Sequence, residues 1–227
     1  PSTLLRVVSL SNHERGFCFM RLILASTSPR RREIMELLGL PFEVIAPEFE
    51  ESASSGRPLE DEVLDFALGK AESVARDNPE GIVVGSDTMI LLNGTKIGKP
   101  DGITGASEIL RLLSGKTHRI FTSVAILDGL GGPGLRIVEE VAVRMRNYFE
   151  NEIERYLACN ESLDKAGAYS IQGRGRALIE SIDGDYLAAV GLPLKPIAGY
   201  LKGRGISVPL NVEKLYADKS FLNWRSF

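Results

Sequence analysis

Residues 22–32 read LILASTSPRRR, and this stretch decides how the fold begins. Its four leading apolar residues predict a buried parallel strand, because parallel strands covered on both faces are apolar throughout. Ser28 is placed to cap a following helix, and Pro29 suits the first helical position, where a missing N–H costs nothing. The stretch therefore predicts a strand that turns directly into a helix.

The start of this helix is a candidate anion site. The first N–H groups of a helix have no partner within it, and the hydroxyls of Ser26 and Ser28 add further donors. Arg30 and Arg31 carry guanidinium groups that match phosphate oxygens, although positive charge at this helix end opposes the helix dipole. We interpret this conflict as a sign that a bound anion neutralises the arginines. The alternative is a capped helix with a solvated basic first turn.

The composition is that of a globular protein. The 227 residues are 44% hydrophobic and 25% charged, with a net charge of −3, so neither a nucleic acid nor a membrane is expected as partner. No apolar run reaches the roughly 18 residues that span a bilayer. The two cysteines form no CxxC motif, which favours free thiols and a cytoplasmic location.

Helix and strand patterns alternate along the rest of the chain. Further strands are predicted at residues 42–46, 81–84, 117–127 and 137–146, and further helices at 58–74, 104–113, 150–159 and 194–201. The strand at 81–84 is expected to end in Gly85-Ser86-Asp87-Thr88, and Thr104 to cap its helix. Hairpins are predicted across Asn93-Gly94 and across Asp183-Gly184, the latter pairing residues 177–182 with 185–189. These patterns indicate a mixed sheet in an α/β or α+β fold.

The two ends of the chain fit this pattern less well. We interpret residues 1–20 as an extension outside the fold, residues 21–208 as the folded domain and residues 209–227 as a weakly patterned tail.

Three carboxylates are candidate ligand contacts. Asp87 follows an apolar strand, and ligands of α/β proteins bind outside the carboxyl ends of such strands. A turn-forming aspartate is the alternative. Glu50 and Glu51 can complete a divalent-metal site with Asp87, or they belong to a solvated acidic loop.

Two lysines and one glutamine complete the candidates. Lys70 lies on the apolar stripe of its predicted helix and either contacts ligand phosphate or extends to solvent from the stripe's edge. Lys99, between Gly98 and Pro100, is a second phosphate lysine or a solvated turn residue. The glycine-rich residues 164–173 permit close approach to a ligand, and the amide of Gln172 can pair with a base edge. A surface loop is the alternative for this segment.

Eight motifs, in this order, resemble the Maf family of nucleoside triphosphate pyrophosphatases over residues 21–205. They are LILASTSPRRREIMELLGL, EFEE, FALGKA, VVGSDT, IGKP, LSGKTHRIFTSVAI, DKAGAYSIQGRG and GDYLAAVGLPL. The resemblance implies a two-lobed α/β fold with a mixed sheet, flanking helices and a central cleft, similar to inosine triphosphate pyrophosphatases. It also implies hydrolysis of a nucleoside triphosphate to the monophosphate and pyrophosphate with a divalent cation, Mg²⁺ or Mn²⁺.

Within the family, the motifs SDT and DKAGAYSIQG resemble the branch that acts on dTTP and UTP. Arg30, Thr88 and Gln172 stand at positions that resemble the specificity contacts of that branch. Ser170 departs from the pattern, since the family usually has glycine there, and so does Leu187-Ala188; both departures bear on base selectivity more than on chemistry.

The resulting hypothesis assigns a role to each candidate. The triphosphate is held by Ser26, Ser28, Arg30 and Arg31; charge on it is neutralised by Lys70 and Lys99; the general base is Asp87; and the metal is bound by Asp87 with Glu50 or Glu51. One alternative is a nucleotide-binding regulator of cell division without turnover, and another is a hydrolase of modified pyrimidine nucleotides. A homodimer is the default expectation for a soluble enzyme of this size.

Overall fold

The computed structural model describes residues 5–6, 19–52 and 57–227, with side chains from Arg21 onward. Most of the predicted N-terminal extension therefore lies outside the described residues. Of that extension, Leu5–Arg6 pairs antiparallel with Phe19 and Met20.

Strands and helices alternate in the described part of the chain, as the sequence predicts. The strands are β1 (Leu5–Arg6), β2 (Phe19–Ala25), β3 (Glu43–Ile45), β4 (Gly81–Leu92), β5 (Thr95–Ile97), β6 (Thr117–Asp128), β7 (Leu135–Met145) and β8 (Ile179–Asp183). The α-helices are α1 (Pro29–Glu36), α2 (Leu59–Ala75), α3 (Gly102–Leu113), α4 (Glu150–Leu157), α5 (Tyr186–Val190), α6 (Leu194–Gly203) and α7 (Val212–Asp218). Short 3₁₀ helices cover Ala166–Ala168, Arg174–Leu178 and Trp224–Ser226.

The strands form one mixed sheet. Their order is β1-β2-β4-β6-β7-β8, with β3 paired to β2 and β5 paired to β4. Strand β2 is parallel to both β3 and β4, whereas β4 and β5, and β7 and β8, are antiparallel. The prediction of an α/β fold with a mixed sheet and flanking helices is confirmed.

The chain divides into two compact units. The first contains the described residues up to Asp87 together with Ser123–Val138 and Gly191–Val212. The second contains Thr88–Thr122, Glu139–Val190 and Glu213–Phe227.

In the first unit, α2 packs on the sheet through small side chains. The buried cluster consists of Ile23, Ala25, Ala67, Ala71, Val74, Val83 and Ala125. Gly85 of β4 lies so close to α2 that an added Cβ would be 2.2 Å from the carbonyl oxygen of Ala67. This close approach brings polar side chains of the helix and the strand within reach of one another.

The predicted end of the third strand is wrong. Strand β4 continues without a break through Gly85, Ser86, Asp87 and Thr88 to Leu92. Glycine, serine and aspartate are typical of turns, but here the two polar side chains have partners inside the protein. Ser86 Oγ donates to the carbonyl oxygen of Gly191 (3.2 Å), and Asp87 accepts a hydrogen bond from a lysine on α2. A satisfied polar residue can remain in a buried strand.

Two further local predictions are wrong. Helix α3 begins at Gly102 rather than after Thr104, because Gly102 turns the chain with a φ of +67°. The second arm of the hairpin across Asp183-Gly184 is helix α5, not a strand. Asp185 Oδ1 accepts hydrogen bonds from the N–H groups of Leu187 (2.8 Å) and Ala188 (3.3 Å), which is a helix N-cap.

The hairpin across Asn93-Gly94 is confirmed. Ile90 pairs with Ile97, and the two turn residues have φ values of +50° and +81°, as a two-residue hairpin turn of this type requires.

The tail contains regular structure. Helix α7 is followed by a 3₁₀ turn, and Trp224 is buried. Within the described residues, no helix is both long enough and apolar enough to cross a membrane.

Candidate active site

The start of α1 has the cap that the sequence predicts. Ser28 Oγ accepts a hydrogen bond from the N–H of Arg31 (3.5 Å), and the N–H of Ser28 donates to Oγ of the buried Ser26 (3.1 Å). Pro29 stands at the first helical position. The two serines thereby fix the junction where the positive end of the helix dipole lies.

Arg31 is held over this junction. Its Nε donates to the carbonyl oxygen of Gly191 (2.9 Å), and its Nη1 donates to Ser26 Oγ (3.5 Å). Burial lowers the pKa of Arg31 from its ordinary value, while the negative charge of Asp87 acts in the opposite direction. Since an arginine side chain is not deprotonated in proteins, a positive charge is fixed beside the first turn of α1.

The other two arginines of the motif differ from Arg31. Arg30 is half-buried. Arg32 is exposed and pairs with Glu36 one turn further along α1, at 2.9 Å. Arg30 and Arg31 are therefore more buried than Arg32, which belongs to the outer surface of the helix.

A lysine and two carboxylates meet between α2 and β4. Lys70 Nζ donates to Asp87 Oδ1 (2.6 Å) and to Glu51 Oε1 (2.5 Å). The side chains of Lys70 and Asp87 are 10% and 9% exposed, whereas that of Glu51 is 51% exposed. Lys70 is therefore not a lysine that extends to bulk water from the edge of an apolar stripe. Its ammonium is buried and paired.

Burial dominates the acidity of Asp87. Desolvation raises the pKa of this carboxyl, and the positive charges of Lys70 and Arg31 only partly offset the effect. A carboxylate whose pKa is raised is a stronger base than an exposed aspartate. Such perturbed groups are concentrated at functional sites.

Of the two glutamates predicted as metal ligands, Glu51 bonds to Lys70 and Glu50 is exposed. Among the described residues, no group of three or more His, Cys, Asp or Glu side chains is arranged to hold a metal. The carboxylates of Asp87 and Glu51 nevertheless converge on a single ammonium. Magnesium is commonly held by one or two carboxylates plus substrate phosphates and water, so Asp87 and Glu51 have the donor chemistry for such an ion, and both accept hydrogen bonds from Lys70 in this structure.

Three predicted site residues belong to the second unit. Lys99 is exposed just after β5, and Gln172 is half-buried in the loop before the 3₁₀ helix Arg174–Leu178. Thr88 lies on β4, and its hydroxyl oxygen is 3.1 Å from that of Thr122. Their roles toward a ligand stay predictions.

Sequence reasoning did not anticipate the carbonyl group of Gly191. This oxygen accepts hydrogen bonds from both Arg31 and Ser86, so it orients the site arginine and anchors β4. The signal was present in the motif VGLP, in which Gly191 has a φ of +132° that favours glycine. Every residue has a backbone carbonyl group, however, so the sequence does not show which carbonyl oxygen accepts the hydrogen bonds from Arg31 and Ser86.

The fold and these contacts define an α/β protein whose first unit combines a cationic helix start with a buried lysine–carboxylate cluster. The chain belongs to the family of Maf-like proteins, whose family model matches residues 21–204. It is 40% identical over 202 residues to a dTTP/UTP pyrophosphatase of Bacillus cereus (strain ATCC 10987 / NRS 248), covering 89% of this chain and 98% of the relative. It is 42% identical over 188 residues to a dTTP/UTP pyrophosphatase of Moorella thermoacetica, covering 83% of this chain and 97% of that relative.

Proposed function

We propose that the protein hydrolyses nucleoside triphosphates, with dTTP and UTP as substrates, to the nucleoside monophosphate and pyrophosphate. The observation that carries the proposal is the buried Lys70–Asp87 pair in the same unit as the cationic start of α1. The relatives named dTTP/UTP pyrophosphatase support the choice of substrate.

The start of α1 binds the phosphates. Ser26 and Ser28 hold the junction in shape, Arg30 and Arg31 supply positive charge, and the helix dipole adds to the attraction. This arrangement suits an anion of several negative charges, because hydrogen bonds hold Ser26, Ser28 and Arg31 in place before the ligand arrives.

Asp87 acts as the general base. It removes a proton from the attacking water as the new oxygen–phosphorus bond forms at the α-phosphorus. The bond between the α-phosphorus and the oxygen bridging to the β-phosphorus then breaks, and pyrophosphate leaves with the electron pair. The raised pKa of Asp87 supports this role, because a stronger base accepts the proton more readily.

Lys70 has two tasks in this proposal. Its ammonium favours the ionised form of Asp87 against the effect of burial, and it offsets the negative charge that moves onto the phosphate oxygens. Lys99 is proposed as a second lysine that offsets charge on the leaving pyrophosphate.

A divalent cation, Mg²⁺ or Mn²⁺, would be held by Asp87 and Glu51, with Glu50 as a further candidate, and would supply a Lewis acid for the phosphate oxygens. We further propose that the protein is located in the cytoplasm. We also propose that it forms a homodimer, which light scattering on the purified chain tests.

The proposal is tested by incubating the purified chain with dTTP, UTP, dCTP or GTP and Mg²⁺, and measuring pyrophosphate and monophosphate together. We expect equal amounts of the two products from dTTP and UTP. Tight nucleotide binding without either product would overturn the proposal in favour of a non-catalytic regulator. Competition by modified pyrimidine triphosphates then shows whether dTTP and UTP are the preferred substrates.

A further inference from the structure

The last residues of the chain are anchored to the second unit although they lie beyond the family match at residues 21–204. Trp224 is 6% exposed and stacks on Tyr186 of α5, with ring centroids 5.2 Å apart and an interplanar angle of 11°. Tyr186 Oη also donates a hydrogen bond to the carbonyl oxygen of Leu222. The backbone on both sides of Asn223 is therefore held in place.

Asn223 uses this anchorage to bind a neighbouring loop. Its Nδ2 donates to the carbonyl oxygen of Gln172 at 2.6 Å and lies 3.2 Å from that of Gly173 and 3.4 Å from that of Ile171. The residue has a φ of +59°, a left-handed conformation that asparagine adopts more readily than most residues. One amide group thus faces three consecutive carbonyl groups of the loop.

Other hydrogen bonds of the second unit also hold this loop. The N–H of Ser170 donates to Tyr156 Oη (2.9 Å), and Ser170 Oγ accepts from the N–H of Gly173 (3.1 Å). These bonds use N–H groups of the loop, whereas Asn223 binds its carbonyl groups. Asn223 therefore contributes hydrogen bonds to the carbonyl groups at Gln172.

A fixed backbone matters if Gln172 recognises a base. An amide side chain offers a donor on one side and an acceptor on the other, so a half-turn rotation exchanges them. Uracil and thymine present an acceptor beside a donor, whereas cytosine presents the opposite order. A glutamine distinguishes these two edges only when its backbone holds the amide at the right place along the edge of the base.

We propose that Asn223 is a positioning residue for base selection. By fixing the backbone at Gln172, it sets the position from which the glutamine amide reaches a uracil or thymine edge. This inference rests on the proposed function, and it extends the recognition machinery to a segment outside the matched family region.

Two substitutions of Asn223 remove its amide donor without requiring a change in its backbone conformation. Asn223→Asp keeps the shape but places oxygen atoms against the carbonyl groups, and Asn223→Gly removes the amide while tolerating a positive φ. Asn160→Asp is the matched control, because Asn160 also has a positive φ (+55°) and is exposed.

The measurement is kcat and KM for dTTP, UTP and dCTP in the wild type and the three variants, with circular dichroism to establish folding. For both Asn223 variants we expect the KM for dTTP and UTP to rise about tenfold while kcat changes less than about threefold. The ratio of kcat/KM for dTTP over dCTP should fall about tenfold, the change expected when roughly 1.4 kcal/mol of discrimination is lost. Asn160→Asp should match the wild type.

Wild-type discrimination in both folded Asn223 variants would overturn the inference and leave the proposed function intact. Loss of the folded state in both variants would overturn it too, since Asn223 would then be a structural residue. If the wild type itself releases no pyrophosphate from any nucleotide, the proposed function fails and this inference fails with it.

Discussion

Lys70 Nζ and Asp87 Oδ1 are 2.6 Å apart, and they join helix α2 to strand β4. The helix and strand come this close because Gly85, two residues before Asp87, has no side chain to separate them. The pair is thus a consequence of backbone packing as much as of charge. Its chemistry and its geometry can be perturbed independently.

Asp87→Asn tests the chemistry. The variant keeps the shape of the side chain but cannot accept the proton, so we expect kcat to fall by about 10²–10⁴-fold. The neutral amide also leaves the buried ammonium of Lys70 with Glu51 as its remaining carboxylate, so we expect the unfolding temperature at pH 7 to fall. Pyrophosphate release and thermal unfolding measure the two effects. Asp77→Asn, at an exposed site after α2, is the control. Near-normal turnover in the Asp87 variant would remove this residue from the role of base.

Lys70→Met tests the partner. Without the ammonium, the pKa of Asp87 should rise further, because the charge that favours its ionised form is lost. The base is active only when ionised, so the acid limb of the pH–rate profile should move to higher pH, and kcat/KM at pH 7 should fall by at least about 10²-fold. Lys116→Met, at an exposed position, is the control. An acid limb at its wild-type pH would contradict the assignment.

Gly85→Ala tests the geometry. An added Cβ would lie 2.2 Å from the carbonyl oxygen of Ala67 and 2.9 Å from the backbone nitrogen of Ala71, and both are backbone atoms of α2. We expect a loss of about 1–3 kcal/mol in the free energy of unfolding, as overpacking causes, together with reduced kcat as α2 moves away from β4. Urea unfolding measures the first effect.

Gly199→Ala is the matched control for Gly85→Ala, because Gly199 lies in α6 and an added Cβ there would meet no described atom within 4 Å. It should stabilise the protein by about 0.5–1 kcal/mol, as alanine does in place of glycine inside a helix. Equal unfolding free energies for the two variants would show that the contact at Gly85 does not limit the packing.

His118 should make stability depend on pH on the acid side. Its buried ring lies 2.7 Å from Tyr169 Oη, and burial lowers its pKa from 6.5 to about 4. The unfolded chain therefore takes up a proton below pH 6.5 that the folded protein takes up only near pH 4. Between these values the contribution of His118 to stability falls as the pH falls, by about 1.4 kcal/mol per pH unit.

The test of this pH dependence is His118→Gln, which keeps a hydrogen-bonding side chain but does not titrate in this range. Urea unfolding at several pH values between 4 and 6.5 should give a shallower loss of stability in the variant than in the wild type. An identical slope in the two proteins would contradict the prediction.

The sequence correctly predicted those helix and turn ends that depend on residues close together along the chain. The cap at Ser28, the proline at the first helical position and the Asn93-Gly94 hairpin are confirmed, because each depends on residues within a few positions along the chain. The continuation of β4 through Ser86 and Asp87 was not predictable, since it depends on partners far along the chain.

The same division applies to the candidate site. Helical periodicity placed Lys70 on the buried face of α2, but its bonds to Asp87 and Glu51 depend on how helix and strand pack. The sequence pattern predicted Asp185 as a strand residue, but its side chain caps helix α5. A cap and a turn use the same residue types, so the sequence alone does not distinguish them. Side-chain pairs across the fold are therefore the part of the site that required a structure.

The docking of Trp224 on Tyr186 has a practical consequence, because the chain contains a single tryptophan. Its fluorescence comes from one known place, next to Asn223 and within the docked tail. Release of the tail would expose the indole to water and move its emission to longer wavelength, without any label. Nucleotide titrations followed at this wavelength can therefore report, in real time, whether the end of the chain stays docked while ligand binds.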